Sequence, residues 1–148
     1  LSKFTAHKGT GFTFRFRLSF SPVRDNVMLV TASTQEEHAK LWNLSKLTAT
    51  AAATADGAAD AGSAAPDLIA VLRGHNKGVH DVKFSGDGAF IATSSSDNSV
   101  KLWDGQRGRQ LHHLSGHTDM VCGVALHPKN SREVVSCSVD KTARVWTV

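Results

Sequence analysis

Cysteine is scarce in this chain: Cys122 and Cys137 are the two among 148 residues, too few for a disulfide-stapled scaffold. Long apolar runs are lacking as well, which excludes a helix of membrane-spanning length, and no leader-like segment suggests export. The expectation is an intracellular protein, cytoplasmic or nuclear, with both thiols reduced and no membrane partner. No stretch sustains the 3.6-residue periodicity of an amphipathic helix, so the chain reads as all-β. Nucleophile-elbow, zinc-protease, phosphate-loop and dinucleotide motifs are missing. The eight histidines lack ligand spacing, and His112-His113 falls in an expected strand whose neighbours point to opposite faces. No metal, cofactor or small-molecule substrate is expected.

What the chain does have is a unit written more than once. Gly74-His75 is followed by Trp103-Asp104, and Gly116-His117 by Trp146, at a period of about 42 residues. Residues 74–104 and 116–146 each carry Gly-His, an alternating apolar run, a turn, a second run ending in Ser-x-Asp and a third ending in Trp. A worn copy precedes them. There Ala6-His7 replaces Gly-His, residues 16–22 match 80–86, and residues 29–43 match 91–104 with one extra turn residue. Residues 79–84, 89–95 and 98–103 are short apolar and β-branched runs separated by Gly, Asp, Asn and Ser, which predicts strands joined by tight turns.

A period near 40–45 with Gly-His and Trp-Asp marks resembles the WD-repeat family, in which each repeat supplies a four-stranded propeller blade. The resemblance implies a propeller segment over residues 1–148, with blade copies at about 7–73, 75–115 and 117–148 and an outer strand in 1–6. About three blades cannot close a ring, and the expected whole is seven-bladed. Each open end would leave an apolar sheet face whose burial outweighs a domain's net stability of about 5–15 kcal/mol. Further blades, from the same or another chain, are therefore expected to cover those faces.

The resemblance also implies a buried hydrogen-bond relay through His75, Thr93, Asp97 and Trp103, and again through His117, Ser136, Asp140 and Trp146. Such groups are costly when buried alone and satisfy one another when paired. Ser, His and Asp together invite a hydrolase reading, but a nucleophile needs an open cleft and an oxyanion site, and these positions belong to a blade interior. No catalytic residue is expected. In the first copy the acid position falls on Glu36 or Glu37, so that blade is expected to lack the relay.

Partners of WD-repeat proteins usually meet the face around the central channel. The resemblance places Gly78, His80, Ser96, Met120, Cys122 and Val139 there, with Phe14 and Phe16 in the first copy. The function implied is a non-catalytic scaffold for protein–protein interactions within a multiprotein complex. The alternative is an RNA-associated subunit of a ribonucleoprotein or ribosome-biogenesis particle. The net charge of +4 is scattered along the repeats without a nucleic-acid motif. The Arg107/Arg109 turn and the Arg15/Arg17 strand are the candidates for phosphate or an acidic surface, and RNA or chromatin association is expected to be indirect. The Trp-Asp-x-Arg signature that docks a ubiquitin-ligase subunit is broken, because Trp103-Asp104 continues Gly105-Gln106-Arg107. Residues 45–66 hold ten alanines and read as a flexible surface insertion. A hairpin turning at Lys129-Asn130 would set Cys122 opposite Cys137.

Overall fold

The computed structural model describes residues 6–7, 16–23, 27–45 and 65–148. The expected outer strand falls outside these residues except at Ala6, and the alanine-rich insertion except at its ends, Ser45, Ala65 and Pro66; Phe14 and Arg15 also lie outside. Among the described residues eleven strands are formed: β1 (Phe16–Phe20), β2 (Met28–Ser33), β3 (His38–Asn43), β4 (Asp67–Arg73), β5 (Val79–Phe84), β6 (Phe90–Ser95), β7 (Ser99–Asp104), β8 (Gln110–Ser115), β9 (Val121–Leu126), β10 (Glu133–Ser138) and β11 (Ala143–Thr147). They build three antiparallel sheets in chain order, β1 to β4, β5 to β8 and β9 to β11. The fold is all-β, an unclosed segment of a propeller.

Turn chemistry fixes where each strand stops. Asp97 Oδ1 accepts from the backbone N–H of Ser99 at 3.1 Å, and Asn98 between them takes φ 68°. The third sheet repeats this, with Asp140 Oδ1 accepting from Thr142 N at 2.8 Å and Lys141 at φ 68°. Asparagine tolerates that left-handed conformation; lysine is strained in it.

The sheets stack face to face through two apolar layers. Met28, Val30, Ala32, Ala39, Leu41 and Leu72 of the first sheet pack on Val79, Val82, Ile91 and Trp103 of the second. Ala92, Val100 and Leu102 on the far side of the second sheet pack on Val121, Val124 and Val134 of the third. The first and second sheets thus each offer a forward face of small and aliphatic residues to the aromatic-bearing rear face of the next. Strand alternation makes this possible, since neighbouring residues point to opposite faces.

Register identifies equivalent positions. Val30 pairs with Leu41, Ala92 with Leu102 and Val135 with Val145. The first two pairs are buried between sheets, whereas Val135 and Val145 are exposed. On the opposite end of the stack Leu18 and Phe20 are exposed, although their counterparts Val82 and Val124, and Phe84 and Leu126, are buried or half-buried. The forward face of the third sheet and the β1 edge of the first sheet's rear face are therefore exposed where the interior repeats are covered, while Leu29 and Trp42 on that rear face are buried.

The hairpin register corrects the cysteine reading by separating the two cysteines. The β9–β10 pairing sets Cys137 opposite Gly123 and, after a shift in register, Ser138 opposite Val121. The hairpin centres on Asn130, and Cys122 is the residue left over. Both thiols are free and exposed.

Candidate functional site

Two polar constellations arise where β6 and β10 run between their neighbours. In the second sheet Trp103 Nε1 donates to Thr93 Oγ1 at 2.9 Å, His75 Nε2 lies 2.8 Å from that oxygen, and His75 Nδ1 lies 2.8 Å from Asp97 Oδ2. The third sheet repeats the arrangement: Trp146 Nε1 to Ser136 Oγ at 2.8 Å, His117 Nε2 to Ser136 Oγ at 2.8 Å and His117 Nδ1 to Asp140 Oδ2 at 2.7 Å. A carboxylate only accepts, so Nδ1 carries the proton, and in the neutral ring Nε2 accepts from the hydroxyl. The chain of donors then runs one way, from indole through hydroxyl and imidazole to carboxylate.

The carboxylates are closed off further. Ser99 Oγ donates to Asp97 Oδ1 and Thr142 Oγ1 to Asp140 Oδ1, both at 2.6 Å. The backbone N–H groups of Asn76 and Thr118 add bonds of 3.1 and 3.2 Å. Burial pushes the Asp97 carboxyl up, but the hydrogen bonds from His75 and Ser99 outweigh it and hold it well below the usual carboxylate range. For Asp140 the Thr142 hydroxyl is the leading cause, opposed by burial and joined by His117, with the same downward result.

A third relay sits in the first sheet, where the sequence reading expected none. His7 Nδ1 lies 2.7 Å from Glu36 Oε2, His7 Nε2 lies 2.9 Å from Thr31 Oγ1, and Trp42 Nε1 donates to Thr31 Oγ1 at 2.9 Å. Glu36 precedes His38 by two residues, as Asp97 precedes Ser99, so its longer arm fills the acid position across the extra turn residue. An imidazole replaces the hydroxyl: His38 Nε2 and Lys40 Nζ lie 3.0 and 3.2 Å from Glu36 Oε2. Burial pushes His38 below its ordinary value against the pull of Glu36. The signal that could have found this relay is the two-residue spacing from acid to next strand.

Ser136, His117 and Asp140 have the order of a hydrolytic triad. Two features set them apart from one. Trp146 Nε1 already donates to Ser136 Oγ, and Ser136 and His117 are buried. The hydroxyl is held as an acceptor and a donor at once, which leaves it no free trajectory toward a substrate carbon.

The sequence profile described as WD domain, G-beta repeat matches residues 66–104 and 108–147, more than half of the chain. The chain belongs to the WD-repeat family. Among curated relatives, "Autophagy-related protein 16" of Arabidopsis thaliana is 37% identical over 79 residues, 53% of this chain and 16% of that protein. "Chromatin assembly factor 1 subunit FAS2 homolog" of Oryza sativa subsp. japonica is 40% identical over 72 residues, 49% of this chain and 14% of its own length. "Nuclear distribution protein PAC1" of Komagataella phaffii is 28% identical over 158 residues, covering 97% of this chain and 27% of that protein. The chain thus spans only 14% to 27% of the length of these three WD-repeat relatives.

At the end of the WD-repeat segment that carries the relay turns, the residues of the candidate partner face fall into two equivalent groups. Ser96 N donates to Gly78 O and Val139 N to Met120 O, each at 3.0 Å. The β5–β6 pairing skips His80, and the β9–β10 pairing skips Cys122, so these two occupy the same bulge. A bulge re-aims its extra side chain out of the ladder. His80 Nε2 then meets Ser96 Oγ at 2.6 Å. In the third repeat Cys122 and Val139 are exposed and Met120 half-buried. Gly78 plays a different part: a Cβ there would lie 1.9 Å from Thr34 O of the first sheet, so it is a contact between sheets that only glycine permits. Phe16 begins β1, at the matching edge of the first sheet.

Proposed function

We propose that this chain forms part of a non-catalytic WD-repeat scaffold that holds protein partners within a multiprotein assembly, with the three relays serving as structural ties. The observation that carries the reading is the shared bulge of His80 and Cys122. Around it the frame recurs, with the same backbone bonds and the same relay, while the projecting residues differ: His80 and Ser96 offer a polar pair, Met120, Cys122 and Val139 an apolar trio. A constant frame bearing variable, outward side chains suits recognition and supplies no reacting group. The relative named as a chromatin assembly factor subunit is in keeping with work inside an assembly. Partners on the open sheet faces are further blades, of the same polypeptide or another.

The test is affinity purification of the full protein from cells after crosslinking, comparing wild type with His80→Ala/Met120→Asp. The reading expects specific partners to drop out of the variant's profile while its circular-dichroism melt stays unchanged. An unchanged partner set with a native melt would refute this face as the contact surface.

A further inference from the structure

The two ends of the segment differ in charge. The turns at 34–37, 74–78, 96–98, 116–120 and 139–142 hold Glu36, Glu37, Asp97, Asp119 and Asp140 against Lys77 and Lys141. The opposite turns at 85–89, 105–109 and 127–132 hold Arg107, Arg109, Lys129 and Arg132 against Asp87, with Asp104 and Glu133 at the flanking strand ends. These last three turns are contiguous. Gly105 N donates to Ala89 O at 2.8 Å, joining the second and first of them, and Ser131 Oγ donates to Asp87 Oδ2 at 2.8 Å, joining the third. Gly86 fits against Pro128 so closely that a Cβ would lie 2.5 Å from its carbonyl oxygen.

The four basic side chains are exposed and make no ion pair within 4 Å among the described residues. Their backbones are locked all the same. Asp104 Oδ1 accepts from Gln106 N and Arg107 N at 2.8 Å each, and Gly108, at φ 68°, returns its N–H to Asp104 O at 2.8 Å. In the neighbouring turn His127 Nδ1 accepts from Lys129 N and Asn130 N at 3.2 and 3.0 Å, and Asn130 Oδ1 accepts from Arg132 N at 3.3 Å. Cations presented on rigid loops, with three guanidinium forks among them, are pre-organised for carboxylates.

We propose that this basic end is a second docking surface, taking an acidic polypeptide segment across Arg107, Arg109, Lys129 and Arg132. The three turns contain no Phe, Tyr or Trp, the broad aromatic platforms on which single-stranded RNA binding chiefly relies, so base stacking there would fall to His127 and the guanidinium planes. The acidic opposite end repels the same ligand, so binding is directed to the basic end. This surface is separate from the partner face around His80, and either can fail alone.

Fluorescence anisotropy of the full chain with a labelled oligoglutamate peptide, and with a labelled oligouridylate of matched charge, tests the assignment at about 50 mM salt, where exposed charges are least screened. The oligoglutamate is expected to bind, and R107S/R109S/K129S/R132S to weaken it about tenfold, as four modest ion pairs would. K77S/K141S at the opposite end is expected to leave affinity unchanged. Should the quadruple variant melt early, R107S/R109S and K129S/R132S carry the test, each expected to lose about threefold. No oligoglutamate binding, binding indifferent to these substitutions, or tighter binding of the oligouridylate would overturn the proposal.

Discussion

Val145 and Leu102 hold the same place in successive sheets, each paired across the ladder with the forward-facing residue of the strand before it, yet Val145 is 72% exposed and Leu102 is fully buried. The difference lies in what stands in front of them. Leu102 meets the rear face of the third sheet, whereas nothing among the described residues covers Val145.

Aspartate at the two positions should therefore behave oppositely in the chain alone. Leu102→Asp buries a carboxyl without a partner and is expected to cost more than about 3 kcal/mol or abolish folding, read from urea melts. Val145→Asp is expected to stay within about 0.5 kcal/mol of wild type, and to reduce self-association seen by light scattering. Equal destabilisation by both would mean that the forward face of the third sheet is already covered.

The relay makes its own prediction. Thr93→Val keeps shape but leaves the Trp103 indole N–H and His75 Nε2 without their shared oxygen, an expected loss of about 2–4 kcal/mol by chemical denaturation. Ser136→Ala removes the matching oxygen from the relay of the third sheet and is expected to lower stability by a smaller margin, since Trp146 is only half-buried. Esterase or peptidase turnover lost with Ser136→Ala at unchanged stability would make the relay a catalytic site instead.

Acid should weaken the relays from the carboxylate side. Asp97 and Asp140 titrate below their unfolded value of about 3.9, so their stabilisation is fully present above that pH and is lost as pH falls from there through the lower folded values. Urea midpoints of wild type are expected to hold from pH 6 to about pH 4 and drop below it. Asp97→Asn should start less stable and fall less steeply below pH 4; parallel curves would show that Asp97 contributes nothing to acid sensitivity.

Much of this was legible in the sequence because side-chain type dictates it. Strand alternation, Asp and Asn turns and the recurring His, Thr or Ser, Asp and Trp gave the all-β propeller reading, and the family profile and the sheets bear that out. The relay of the first sheet escaped because position matching looked for aspartate, whereas an extra turn residue and one more methylene let Glu36 reach His7. The pairing of Cys122 with Cys137 failed for another reason. The hairpin centres on Asn130 and not between Lys129 and Asn130, which sets Cys137 opposite Gly123 before the bulge at Cys122 is reached, and that half-residue difference in the turn has no residue signature here.

Ser94 offers a substitution that the chain itself has already tried. Its Oγ is fully buried and has no hydrogen-bond partner among the described residues. In the first sheet the residue after the relay threonine, Thr31, is Ala32, equally buried within the apolar layer. The equivalent residue after Thr93 is Ser94, whose ladder partner is Val100. Removing an orphaned hydroxyl recovers its desolvation cost and forfeits no bond, so Ser94→Ala is expected to raise unfolding free energy by about 1 kcal/mol. Urea denaturation at neutral pH measures this directly, with an unchanged m-value showing that the unfolded state is not responsible. A loss of stability would mean that Ser94 Oγ has an acceptor in solution, and the layer between the second and third sheets would then contain a polar tie.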